Sequence, residues 1–201
     1  MRNSGYSQHG ASRNNPITAG WSAISKSASE DISENLELLR KRSRDLYAGG
    51  APLGRGAVER VLLNAVGGGL KLNCRIDADY LGMDAAQAAE WEAKCEREFY
   101  YWAESKDCDI TRQFNFFELQ NLAFKSVLIN GDALVMLPMK RRRNNIYGLK
   151  IALIEGDRLR TPAVNIRPAG KLVDHGVELD ADGAVTVYYI ANRHPEAELA
   201  G

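Results

Sequence analysis

Lys140-Arg141-Arg142-Arg143 is the densest charge run in the chain. Four adjacent cations suit a phosphate backbone or an acidic protein surface. No aromatic residue is interleaved among them, so they have no means of reading bases, and any DNA contact would be independent of sequence. The other reading of the same run is a solvated hairpin tip. Gly67-Gly68-Gly69-Leu70-Lys71 holds the glycines and lysine of a phosphate loop. However, Leu72 stands where Ser or Thr is required, and the order is helix–glycine–strand instead of strand–loop–helix. A flexible joint fits this run better. His9, His175 and His194 have no second ligand three or four residues away on a shared helix face. Ser43 and Ser126 lie in helical stretches with no base in view, and no GxSxG, HExxH or kinase signature occurs. No catalytic residue, metal ligand or cofactor is expected.

Cys74, Cys95 and Cys108 form no CxxC pair, and an odd number makes a poor disulfide framework. Reduced thiols in a cytosolic protein are the simplest reading. Lys+Arg and Asp+Glu both number 26, so the formal net charge is zero. That balance argues against a chain that wraps nucleic acid along its whole length and permits many copies to pack together. Charged residues at 26% and hydrophobic residues at 45% are ordinary for a globular protein. No apolar run approaches the roughly 20 residues of a membrane helix, and the first residues lack the apolar core of a secretory signal. No membrane partner is expected.

The elements that would position the basic run follow from periodicity. A helix is expected from Ser29–Ser33, with Ser29, Asp31 or Ser33 as cap. Its apolar stripe is Ile32, Leu36, Leu39, Leu46 and Tyr47, and Arg40, Lys41, Arg42 and Arg44 form the opposite, basic face. Pro52 starts a second helix with a stripe at Val58, Val61, Leu62, Ala65 and Val66. Leu70 to Ile76 alternates as a strand. Asp84 caps a long helix in which Trp91, Phe99 and Trp102 are expected as buried structural core, opposite Glu90, Lys94, Glu98 and Glu104. A further helix covers about 115–129, with Phe117, Leu122, Phe124 and Leu128 as core candidates. From Asn130-Gly131-Asp132 the period changes to two. Strands at 133–139 and 148–154 flank the basic tip, and strands at 173–179 and 185–190 flank Asp182-Gly183.

The fold class is therefore α+β, with a helical N-terminal half followed by antiparallel β hairpins. Residues 1–28 read as an N-terminal arm, residues 29–195 as one domain (helical over 29–131, β-rich over 132–195), and residues 196–201 as a tail. The arm is poor in apolar residues. It is either a disordered tail or a segment that docks on a neighbouring subunit through Tyr6 and Trp21.

Read together, several blocks resemble the lambda-like family of bacteriophage portal proteins. Ser29-Glu30-Asp31-Ile32 precedes the Arg-rich helix Leu38 to Leu46. Asn64-Ala65-Val66-Gly67-Gly68-Gly69-Leu70 resembles the family's glycine turn into a strand. Trp91, Phe99 and Trp102 before Cys108-Asp109 resemble its Trp-rich helix, and Asn130-Gly131-Asp132-Ala133-Leu134-Val135 its helix-to-strand step. Leu153-Ile154-Glu155-Gly156-Asp157-Arg158-Leu159-Arg160-Thr161-Pro162 resembles its L-I-E-x-D-R-L-x-T-P block. His175 to Asp180, Gly183, Val187-Tyr188-Tyr189-Ile190 and His194-Pro195 follow in the family's order. Family subunits are much longer, and the part present here resembles the wing, the outer part of the ring.

The resemblance implies a structural subunit of a ring, usually twelve-membered, at the portal vertex of the virion capsid, assembled in the host cytoplasm. It implies roles in genome packaging, DNA ejection and head–tail connection. The implied partners are capsid and scaffold proteins, terminase, a head–tail adaptor and double-stranded DNA passing non-specifically through the ring, with no enzymatic activity in this chain. In a wing, Lys140 to Arg143 would point outward toward capsid or scaffold. The competing reading is a small module that binds nucleic acid or an acidic protein through the basic hairpin.

Overall fold

Helix-forming sequence runs to residue 130 and then stops. The computed structural model describes residues 16–17, 20–21, 25–33, 35–49, 52–163 and 170–194. The chain divides into two compact units, residues 1–36 and 37–201. In the first unit, α1 (Ala28–Ser33) starts at a capping box on Ser27. The Glu30 N–H donates to Ser27 Oγ (3.2 Å), and the Ser27 N–H donates to Glu30 Oε2 (3.0 Å). The cap is thus Ser27, ahead of the residues expected. The single helix expected here is split in two: α1 ends at Ser33 and the next helix begins at Leu36.

Five further helices follow: α2 (Leu36–Ala48), α3 (Pro52–Ala65), α4 (Ala78–Leu81), α5 (Ala85–Glu104) and α6 (Phe116–Asn130). Asp84 and Asn115 each close a complete capping box, with Gln87 and Glu118 respectively, which fixes where α5 and α6 begin. Then come β1 (Leu134–Met136) and β2 (Ala152–Ile154), paired antiparallel, and β3 (Leu172–Asp174), β4 (Val177–Leu179) and β5 (Val185–Tyr188), a three-stranded antiparallel sheet in that order. The fold is α+β, helices first and antiparallel strands second.

The core lies where α5 meets α6. Trp102, Ala103, Cys108, Leu119 and Ile151 are buried, with Phe99, Phe116, Phe117 and Tyr147 packed around them. Phe99, Trp102 and Phe116 form a triangle of rings with centroids 5.3–5.6 Å apart, the spacing of favourable aromatic pairs. Trp102 is 8% exposed and Trp91 is 45% exposed. The expectation that Trp91 belongs to the core is therefore corrected. The inward face of α5 runs through Ala88, Glu92, Cys95, Phe99 and Trp102, and Trp91 lies one residue off it.

Leu70 to Ile76 is not a ladder strand, because among the described residues no strand lies beside it. Side chains from the helices take its inward N–H groups instead. The Leu70 N–H donates to Gln120 Oε1 (2.6 Å), that of Cys74 to Glu96 Oε1 (2.8 Å) and that of Ile76 to Glu92 Oε1 (2.8 Å). Two strand residues span about 6.6 Å and four helical residues about 6 Å, so carboxylates one turn apart on α5 match alternate amides. Gly69 (φ +98°) runs so close to α6 that a Cβ would sit 2.6 Å from Phe117. The glycine run is therefore a close-packed joint and not a phosphate cradle.

The segment expected as one strand over 173–179 is a tight hairpin. His175 (φ +47°) and Gly176 (φ +86°) both take the left-handed conformation that a two-residue turn needs.

Asp109 is buried between the two halves. It accepts hydrogen bonds from Thr111 Oγ1 (2.5 Å) and from the N–H groups of Thr111 (2.9 Å), Gln113 (3.0 Å) and Phe114 (3.2 Å). Burial pushes its carboxyl up, and these donors outweigh that effect and hold it below the ordinary value. A carboxyl depressed on folding contributes stability above its unfolded pKa and loses it as pH falls through the folded one. Urea midpoints measured against pH should show Asp109→Ala less stable by on the order of 3 kcal/mol at neutral pH, with a shallower loss below about pH 4. In the same assay Trp102→Ala should cost about 3–5 kcal/mol and Trp91→Ala less than about 1.

Candidate functional site: the basic hairpin

β1 and β2 continue beyond their paired residues. Met139 bridges Leu149, and the Lys140 N–H donates to the Gly148 carbonyl (2.7 Å), so the register holds to the tip at 141–147. Asn144 takes φ +66° at the apex.

The distal end of this hairpin is fixed on the C-terminal end of α5. Trp102 Nε1–H donates to the Leu149 carbonyl (3.0 Å), and the Tyr147 hydroxyl donates to Glu98 (2.7 Å). Lys150 is fully buried, and its Nζ donates to the Tyr147 carbonyl (2.8 Å). Burial pushes the Lys150 ammonium pKa down and nearby Asp107 partly offsets this.

The four expected contact residues are not equivalent. Arg142 folds back, its Nη2 donating to the Ile110 carbonyl and its Nη1 lying 3.9 Å from Asp107. It is an anchor, and its place at a solvated tip is corrected on that ground. Lys140, Arg141 and Arg143 remain exposed. Met139 and Ile146 stand beside them at 74% and 85% exposure. Tip and rim thus combine three solvated cations with two apolar side chains.

The other candidates lie elsewhere. Tyr6 and His9 lie outside the described residues, and Trp21, in the first unit, is 73% exposed. His175 sits in its turn with Nε2 3.6 Å from Asp174, and His194 Nε2 is 3.5 Å from Asp157. Among the described residues no group of three or more His, Cys, Asp or Glu is placed to hold a metal. Burial, with Asp109 alongside, pushes the Cys108 thiol up to about 11, so it is no thiolate nucleophile near neutral pH. A shallow groove of about 350 Å³ runs between the Lys71–Leu72 segment, α5 and Phe117. Among the described residues no helix is long and apolar enough to cross a membrane.

Sequence reasoning missed a second charged cluster. Arg40 and Arg44, expected on the basic face opposite the apolar stripe, point inward. Arg40 Nη2 pairs with Asp132 (2.6 Å), Arg40 Nε donates to the Asn130 carbonyl (2.9 Å), and Arg44 pairs with Asp157. The expected stripe residues Leu39 and Leu46 are exposed instead. The available signal was the helical spacing of Leu36, Arg40, Arg44 and Tyr47, which the more familiar apolar stripe masked.

Comparison with known proteins agrees with these blocks. The sequence model of the phage portal protein, lambda family, matches residues 14–201. The chain belongs to the lambda family of phage portal proteins. A relative described as a probable portal protein, from Halomonas phage phiHAP-1, is 26% identical over 185 residues. The match covers 91% of this chain and 35% of the relative, so the chain spans about a third of the length of that portal protein.

Denaturation of single variants should separate the anchor from the tip. Arg142→Ser should lose about 1–3 kcal/mol, the cost of an unmet buried acceptor, whereas Arg141→Ser and Arg143→Ser should stay within about 0.5 kcal/mol of the parent chain.

Proposed function

We propose that this chain is a ring-forming structural part of a phage portal at the capsid vertex, contributing the wing and not catalysis. The family match over residues 14–201 carries this reading. The surface supports it. Tyr80 and Leu81 on α4, and Met139 and Ile146 at the hairpin tip, form two groups of solvent-exposed apolar side chains, and grouped exposure of this kind marks surfaces for partners. In this role the chain serves DNA packaging, DNA ejection and head–tail connection. Its partners are further copies of itself, capsid and scaffold proteins, terminase and a head–tail adaptor. It sits in the virion and is assembled in the host cytoplasm. Double-stranded DNA passes without sequence-specific contact.

The exposed Lys140, Arg141 and Arg143 favour a second reading, an electrostatic module for DNA. Mass photometry should show large closed oligomers of the chain. Titration with duplex DNA at near-physiological salt should show weak binding that barely changes when Lys140, Arg141 and Arg143 become Ser. A monomer that binds DNA tightly, with steep salt dependence abolished by the triple change, would replace the ring reading with the module.

A further inference from the structure

The zero net charge conceals two poles. Residues 77–93 carry five acids, Asp77, Asp79, Asp84, Glu90 and Glu92, and no Lys or Arg. Residues 133–154 carry five bases, Lys140, Arg141, Arg142, Arg143 and Lys150, and no acid. Part of each set is used internally: Glu92 holds the Ile76 N–H, Arg142 donates to the Ile110 carbonyl and Lys150 to the Tyr147 carbonyl. Asp79 and Glu90 at one pole and Lys140, Arg141 and Arg143 at the other are exposed, with no side-chain partner among the described residues.

Helix α5 sets the distance between the poles. The acidic corner comprises α4 and the first turns of α5. The distal end of the hairpin meets α5 at Glu98 and Trp102, some four to five turns beyond Asp84. At 1.5 Å per residue, Asp84 lies about 20–27 Å and Glu90 about 12–18 Å from those contacts. Even the nearer of these exceeds the Debye length of about 8 Å at physiological salt, so the poles attract each other only weakly within one chain. Each also presents apolar side chains to solvent: Tyr80 (87% exposed) and Leu81 at the acidic corner, Met139 and Ile146 at the basic tip.

We infer that the tip of one copy docks on the α4–α5 corner of a second copy. Lys140, Arg141 and Arg143 then face Asp79 and Glu90 across the joint, and Ile146 and Met139 pack on Tyr80 and Leu81. This inference rests on the ring-subunit reading and names its surface. Because the two patches differ, the contact is heterologous. It repeats head to tail, and it closes into a ring if the rotation per subunit allows. Opposite charge sets register and excludes like poles, while the apolar pairs supply area removed from water. A nucleic acid would use the cations alone and leave the acidic corner and its tyrosine unemployed.

Charge reversal with rescue tests this. Three variants of the chain are compared by sedimentation velocity over a concentration series: Arg141→Glu with Arg143→Glu (tip), Asp79→Lys with Glu90→Lys (corner), and all four changes in one chain. All four positions are exposed, so each variant should fold, which circular dichroism checks. Wild type should self-associate, more weakly at high salt. Tip and corner variants should each weaken association by about tenfold or more. Mixing them, or combining all four changes, should restore it. Association unchanged by either reversal, loss without rescue, or a wild type monomeric throughout would overturn the proposed contact. Large rings unaffected by reversal would do so while leaving the ring reading intact. Reversal-sensitive association that stops at two copies would uphold the contact and sink the ring.

Discussion

The two halves of this fold are joined by a few backbone groups around Cys108 to Ile110. The Ile151 N–H donates to the Cys108 carbonyl (2.7 Å), and the Ile110 N–H donates to the Ile151 carbonyl (2.9 Å), so that Asp109 and Ile151 form a short parallel bridge. This bridge brings β2 and the hairpin against the turn that follows α5. It works only if the turn holds one shape. Asp109 fixes that shape by gathering four donors from Thr111, Gln113 and Phe114 onto one buried carboxylate. Its neighbour Cys108 packs in the core with Trp102, Leu119 and Ile151. The arrangement is economical for a small core, since one satisfied charge both orders a loop and sets the start of α6.

A second tie lies on α2. Arg40 and Arg44 meet Asp132 and Asp157, residues about ninety or more positions later in the chain. Such partly buried pairs add little net stability, because desolvation offsets most of the attraction, yet losing one partner strands the other. Their value is specificity. They admit one placement of α2 against the step from α6 to β1 and the turn after β2. A stripe of leucines would slide more easily, and Leu39 and Leu46 are instead left in solvent.

Local signals were the legible part of the sequence. The capping residues Asp84 and Asn115, the change of period at Gly131, and the hairpin around the basic run each depend on neighbours within a few residues. Distant partners were illegible. Nothing near Leu70 to Ile76 announces that carboxylates on α5 would replace a partner strand, because the match between a helical turn and two strand residues exists only after α5 is placed. Trp91 was misjudged for a related reason. Its spacing from Cys95, Phe99 and Trp102 fits a wide apolar stripe, whereas the face actually covered by α6 and the hairpin is narrow and excludes it. His175-Gly176 was a near-local miss: histidine is among the non-glycine residues enriched at positive φ, so the pair is a turn signal of the Asn-Gly kind. At the basic run, the hairpin was legible and the inward turn of Arg142 was not, since its acceptor at Ile110 lies across the junction.

The same junction explains why a neutral chain has a polar surface. By fastening the hairpin at the C-terminal end of α5 through Leu149 and Tyr147, it places the cations at one end of a long helix whose first turns carry the acids. A hairpin docked midway along α5 would have brought Arg141 and Arg143 near Glu90, and the charges would have paired within the chain. Total charge is therefore a poor guide to what such a chain contacts. What matters is whether opposite charges lie within a screening length of each other, and here the length of α5 keeps them apart. Internal pairing has consumed Arg142, Lys150 and Glu92 but not the residues at either tip, so the unspent charge sits where a neighbouring molecule can reach it.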